Sequence, residues 1–234
     1  MLSIVGVSSL KGTQHHFNED RYRLLGSSVP IVRAAGRGEI YAVMDGVGGA
    51  PLGRRTAQHI ADRLVDCYRL PATTSPRETL REILTAVNRE VFGWGLIEGS
   101  ERPLGAASMT VVWLTPTREA MIFHVGDTLA VQCSGKTVHR LTRDHSEGRG
   151  LRRYVGQGDG FTLDEIVVQA AEGDVFCLVT DGVTKVMSVS EVTAVLDEIF
   201  DAQRAADEIT HRARGKGSPD DITAVVVQIE DFDG

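Results

Sequence analysis

Residues 39–49, EIYAVMDGVGG, decide how this chain is read. After Glu39 the run is apolar on both alternating faces, as in a strand covered on both sides. Asp45 stops the run, and Gly46, Gly48 and Gly49 follow. Glycine lets a backbone turn tightly and lets a ligand come close to the main chain. A carboxylate at a strand end beside bare backbone fits a metal or phosphate site. Taken alone it fits better a strand closed by an ordinary Asp-Gly turn, so the remaining sequence has to separate the two.

Seven further β-type runs lie around it, at 3–8, 21–25, 108–114, 120–125, 128–133, 175–180 and 222–229. Helical spacing of apolar residues occurs at 53–69, 77–92 and 190–200, with Ala57, Ile60, Ala61, Leu64 and Tyr68 sharing one face of the first. Ser75 followed by Pro76 marks the start of the second helix. The short connection between 120–125 and 128–133 leads us to expect that these two strands pair antiparallel. The expected class is α+β, with helices packed on a mostly antiparallel sheet sandwich, and residues 1–234 are read as a single domain.

The 234 residues carry 42% hydrophobic side chains and a net charge of −7, a composition able to bury a core and unfavourable to non-specific nucleic-acid binding. No apolar stretch approaches the roughly 18 residues of a membrane span. The N-terminus reads as a first strand without a basic leader, so a cytoplasmic location is expected. Cys67, Cys133 and Cys177 lie far apart and within or beside apolar runs, which suits buried reduced thiols rather than disulfides or zinc.

Acids recur at strand ends. Glu19 and Asp20 precede 21–25, Asp45 ends its strand, Asp127 sits between two strands, Asp181 follows an apolar run, and Asp220 and Asp221 precede the last strand. Each alone fits a turn. Converging at one edge of a sandwich they would repel one another, and hard divalent cations such as Mg²⁺ or Mn²⁺ are the usual compensation for all-oxygen ligands.

The ordered series NED (18–20), DGVGG (45–49), GAAS (105–108), VGDT (125–128), LTRDHS (141–146), VTDGV (179–183) and SPDDIT (218–223) resembles the metal-dependent serine/threonine protein phosphatases of the PPM, or type 2C, family, bacterial type. The resemblance runs over nearly the whole chain. It implies a four-layer αββα sandwich and a site for two Mn²⁺ or Mg²⁺ ions that activates water to hydrolyse phosphoserine and phosphothreonine. Carried over residue by residue, it assigns metal-site positions to Asp20, Asp45, the carbonyl of Gly46, Asp181 and Asp220, with Asp45 bridging both ions. Asp127 falls at the position of a third metal, and Glu19 at one that supports the site. The implied partners are a phosphorylated protein and an opposing serine/threonine kinase, with no nucleic acid and no membrane. A phosphatase fold with weak catalysis that acts as a binding module, or a phosphomonoesterase of small molecules, are the alternatives.

The chain departs from that pattern in several places. His15 stands where family members carry an arginine that grips phosphate, and it reads either as a phosphate contact or as an exposed loop histidine. Leu129 and Ala50 replace a common arginine and a common histidine. Little sequence separates LTRDHS from LRRYVGQGDG (151–160), so the flap subdomain of bacterial relatives is expected to be shortened or absent. Arg149, Arg152 and Arg153 in that region read as a guide for an anionic substrate or as a solvated charged loop.

Overall fold

A computed structural model describes residues 2–14, 16–70, 73–97, 103–148 and 150–232. One sheet contains, in spatial order, β1 (Leu2–Leu10), β12 (Ile222–Asp231), β11 (Val175–Val179), β6 (Leu129–Ser134) and β7 (Thr137–Arg140). The other contains β10 (Asp164–Gln169), β5 (Glu119–Val125), β4 (Ala107–Leu114), β3 (Glu39–Gly46) and β2 (Arg21–Leu25). Every strand pair in both sheets is antiparallel.

The two-sided apolar strands are explained by three packed interiors. On β3, Tyr41 and Val43 face the other sheet with Val112, Leu114, Phe176, Leu178 and Val225. Ile40, Ala42 and Met44 face the opposite way, onto α2 (Gly53–Arg63) and α3 (Pro76–Ile97) through Ala57, Ile60, Leu80, Leu84 and Val87. The outer face of the first sheet packs on α4 (Asp181–Thr184), α5 (Val189–Glu198) and α6 (Ala202–Gly215). The result is the expected αββα layering. A short α1 (Pro30–Ala35), with Pro30 in its first turn, lies between β2 and β3. Helix starts are chemically marked: Ser188 and Glu191 form a reciprocal capping box on α5, and Asp201 accepts from Arg204 N–H on α6. Of the basic residues of 211–217, Arg212 and Arg214 fall in the last turn of α6 and Lys216 caps it, where they favour the negative end of the helix dipole.

One expectation is corrected. Strands 120–125 and 128–133 do not pair: β5 pairs with β4 and β10, whereas β6 pairs with β11 and β7. Gly126–Asp127–Thr128 is a corner that carries the chain from one sheet to the other. Three residues extended reach about 10 Å, which is the spacing of packed sheets. Gly126 has φ 104°, and a Cβ there would stand 2.0 Å from the Ser108 Cβ on β4. Only glycine fits that crossing.

The segment after LTRDHS forms no separate subdomain among the described residues. It holds the two-residue strands β8 (Ser146–Glu147) and β9 (Gly150–Leu151) and a single 3-10 turn at 158–160. Val155 exchanges backbone hydrogen bonds with Ala107 on β4. Asn88 on α3 donates to Gly158 O and accepts from Gly156 N–H. The shortened flap is thus a strap fastened to the sandwich.

Gly126→Ala is expected to cost roughly 3 kcal/mol, combining left-handed strain with overpacking. Gly135→Ala, also at positive φ but with nothing within 4 Å of the new methyl, is expected to cost about 1 kcal/mol. Urea unfolding midpoints of the two variants check the difference.

Candidate metal centre

The two sheets bring their acidic strand ends to one edge. Asp45 ends β3 and pairs across to Ser108 on β4. Asp127 sits in the corner between sheets, and Asp181 follows β11 as the first residue of α4. Carboxylate oxygens of Asp45, Asp127 and Asp181 all lie within 4.8 Å of one another. They line an open cleft of about 660 Å³ whose wall includes Gly46–Gly49, Asp144, Ser146, Lys185 and Asp220.

Asp20 enters from the β2 side and is buried. Its Oδ2 accepts hydrogen bonds from the Thr180 and Thr223 hydroxyls, each at 2.7 Å. Thr180 Oγ1 in turn accepts from Thr223 N–H at 3.0 Å, which fixes the direction of its proton. Asp221 orders the loop before Asp20, accepting from Gly12 N–H at 2.6 Å and Glu19 N–H at 2.8 Å. Pro219 O accepts from Thr13 and Gln14 N–H. This loop therefore runs alongside Asp220. Glu19 is half-buried on it, and His15 lies outside the described residues. Asp220 stands outside the group of three converging acids, with its Oδ2 2.7 Å from Lys185 Nζ.

Gly46 is required by close packing: a Cβ there would meet Gly53 C at 2.5 Å and Arg54 N at 2.7 Å. The first turn of α2 rests directly on the end of β3, which holds Asp45 at the cleft. Arg152 and Arg153 do not line the cleft. Arg152 pairs with Glu147, and Arg153 pairs with Asp164 at 2.8 Å. Arg149 lies outside the described residues.

Sequence reasoning missed the support behind Asp127. His145 N–H donates to Gly126 O at 2.9 Å, and its Nδ1 accepts from Gly126 N–H at 3.1 Å. Its Nε2 faces Asp164 Oδ2 at 3.0 Å and Arg153 Nη1 at 2.9 Å. His124, its ring 4.7 Å from that of His145 and tilted by 40°, is pushed by burial down to about 4 and stays neutral between Thr110 Oγ1 and Arg143 O. Thr110 also bonds Thr128, closing the far side of the corner. The signal was His145 within LTRDHS, which was legible as a motif and silent as to what it held.

Electrostatics argue for a cation. Burial raises the carboxyls of Asp20, Asp45 and Asp181 above the usual carboxylate range, and neighbouring acids raise them further. Burial, then the charge of Asp181, pushes Asp127 up to about 6. Oδ1 atoms of Asp20, Asp127 and Asp181 are buried without a hydrogen-bond partner. Oriented, unsatisfied carboxylate oxygens are costly unless something binds them. An all-oxygen set suits Mg²⁺ or Mn²⁺, so the residues present fit such ions.

Metal-free protein should therefore be strained by its own acids. A carboxyl whose folded-state value lies above the unfolded ~3.9 costs stability once pH rises past that lower value, and the cost levels off above the folded one. Asp45→Asn is expected to raise the melting temperature in EDTA by about 2–4 °C at neutral pH, the equivalent of about 1 kcal/mol in a chain of this size, and much less at pH 4. The same variant should lose most of the stabilisation that Mn²⁺ gives the wild type. Thermal unfolding with EDTA and with Mn²⁺ at both pH values checks this.

The Protein phosphatase 2C family profile matches residues 13–214. Protein phosphatase 2C homolog 4 of Schizosaccharomyces pombe is 31% identical over 155 residues, covering 50% of this chain and 40% of that protein. The serine/threonine phosphatase stp of Listeria monocytogenes is 24% identical over 245 residues, covering 93% of this chain and 92% of that one. The chain spans 40%, 66% and 59% of the lengths of three curated relatives from fission yeast, rice and Arabidopsis. The catalytic domain of PstP in complex with two manganese ions shares the fold, with a TM-score of 0.80 at 20% identity over 98% of this chain and 99% of that one. From the acids gathered at the sandwich edge to the profile match over most of its length, the chain belongs to the protein phosphatase 2C family.

Proposed function

We propose that this protein is a metal-dependent protein phosphatase that hydrolyses phosphoserine and phosphothreonine esters, acting in the cytoplasm against a serine/threonine kinase, with residues 1–234 as one catalytic unit. The observation that carries this reading is the convergence of Asp45, Asp127 and Asp181 oxygens within 4.8 Å on the floor of an open cleft. The ligand set we assign is Asp20, Asp45, the carbonyl of Gly46, Asp181 and Asp220 for two ions, and Asp127 for a third. Asp45 carries the central role because Asp181, Asp20, Asp127 and Asp220 all bear on its charge. Divalent ions bound there supply neutralisation of phosphoryl charge and acidification of an attacking water.

The protein's own groups do the rest. The Thr180 and Thr223 hydroxyls hold Asp20 by one oxygen and leave the other buried without a hydrogen-bond partner. His145 fixes the corner that presents Asp127. With a net charge of −7 and an acidic floor, the cleft repels a phosphate dianion unless cations lie between them. Ser146, Gly148, Gly150 and Leu151 line one part of the open cleft, which suits a phosphorylated side chain on a protein surface. Glu19 we assign as support for the site and His15 as a contact to the substrate phosphate. A reducing compartment accords with Cys67, Cys133 and Cys177, all free and buried.

Chelation is expected to abolish hydrolysis of a phosphothreonine peptide and Mn²⁺ to restore it. Asp45→Ala and Asp181→Ala should each lower turnover by roughly 100-fold or more, with the far-ultraviolet circular dichroism retained. Steady-state assays on a phosphopeptide, a nucleotide and an aryl phosphate, with and without Mn²⁺, check this. Preference for the nucleotide would move the assignment to a small-molecule phosphomonoesterase, and Mn²⁺-independent turnover would sink it.

A further inference from the structure

Asp220 stands outside the three-carboxylate group, and a side chain of this chain links it to Asp181. Lys185 Nζ lies 2.6 Å from Asp181 Oδ2 and 2.7 Å from Asp220 Oδ2. The other oxygen of Asp220 accepts the Asp221 N–H at 2.9 Å. Lys185 follows Asp181 by four residues across α4, a spacing that lays its stem back over that carboxylate. Among the described residues that line the cleft, it is the one with a basic side chain.

The ammonium therefore occupies the gap between two of the acids assigned to metal. A divalent ion of the Mg²⁺ type sits about 2.0–2.1 Å from a carboxylate oxygen, so one seated on Asp181 Oδ2 and Asp220 Oδ2 would meet the ammonium at close range with like charge. Both cannot hold these oxygens in the present geometry. The Lys185 side chain is 50% exposed, against 14% for Asp181 and 18% for Asp220. The lysine can swing toward solvent, whereas the acids are held by their strand ends.

We propose that Lys185 is a resident counter-ion that competes with a divalent cation for Asp181 and Asp220, and so sets the metal affinity of that side of the cleft. Without metal, one positive charge links the two acids and limits their repulsion. With metal, the ammonium leaves those oxygens, and the broken ion pairs are subtracted from the binding free energy. Because the lysine is half exposed, solvent screening keeps the effect modest. The inference rests on the reading of this cleft as a metal centre, and its test reads metal binding and not turnover.

The experiment is calorimetric titration of Mn²⁺ into metal-free wild type and Lys185→Met, which keeps the apolar stem and removes the charge, paired with thermal unfolding of both in EDTA. The weaker Mn²⁺ binding step is expected to tighten about tenfold in the variant, and the gap should narrow as ionic strength rises. In EDTA the variant should melt below wild type, since both acids then lose the Lys185 ammonium that lies 2.6 Å from Asp181 and 2.7 Å from Asp220. Unchanged Mn²⁺ affinity overturns the proposal. So does weakened affinity, which would make the ammonium an aid to ligand orientation. Wild type that binds Mn²⁺ but turns over no phosphoester would sink the phosphatase reading and leave this inference standing.

Discussion

Mutual repulsion among carboxylates at one edge of the sandwich is the constraint around which the rest of the structure is arranged. Asp20, Asp45, Asp127, Asp181 and Asp220 come from five separate strand ends, and oxygens of Asp45, Asp127 and Asp181 lie within 4.8 Å of one another. Like charges in a partly buried place separate unless each is held by something stronger than their repulsion. The holding devices are visible one by one. Two threonine hydroxyls grip Asp20, the first turn of α2 presses on Gly46 behind Asp45, His145 fixes the corner that carries Asp127, and Lys185 links Asp181 with Asp220. The hydrophobic layers on either side supply the rigidity that these devices need.

Those devices divide into two kinds. The threonines and the packed glycine carry no charge, and they orient the acids without reducing theirs. Lysine is the exception, because it both positions and neutralises. A neutral scaffold leaves the cluster's full charge for an incoming cation, which strengthens binding. A charged one takes a share of it. The site is thus a compromise between stability without metal and affinity for it, as expected where function requires groups that destabilise the fold.

Much of the fold was legible because its strands are apolar on both faces and its helices keep 3.6-residue periodicity. The strands at 21–25 and 108–114 and the helix beginning at Pro76 emerge close to where periodicity puts them. The failures have specific causes. Strand β7 has all four residues exposed, so no alternation marks it. Helix α6 buries Ala202, Ala205, Ala206 and Ala213, and alanine contrasts weakly with its polar neighbours. The 120–133 region misled because a short connection suits either a hairpin or a step between sheets, and only the packing of Gly126 against Ser108 decides. Within the site, acids at strand ends could be named from sequence, but their supports could not. Thr180, Thr223 and His145 act through distances between segments remote in sequence, and nothing local in their type announces that contact.

The pairing of the first strand with the last has a consequence for how the protein comes into being. Residues 2–10 lie against 222–231, and Asp20 is gripped by Thr223 while Asp221 orders the loop before it. A nascent chain still missing residues 220–223 lacks both Asp220 and the hydroxyl that aims Asp20. The cleft is therefore assembled only after nearly all of these residues have left the ribosome, by closing a loop of some two hundred residues, the kind of long-range contact that slows folding. Until that closure, the acids are scattered along a flexible chain and offer a metal ion no shared grip. Assembly of the cleft is thereby tied to the synthesis of residues 220–223, and a chain that stops short of them would carry Asp45, Asp127 and Asp181 without the contacts that Asp221 and Thr223 make.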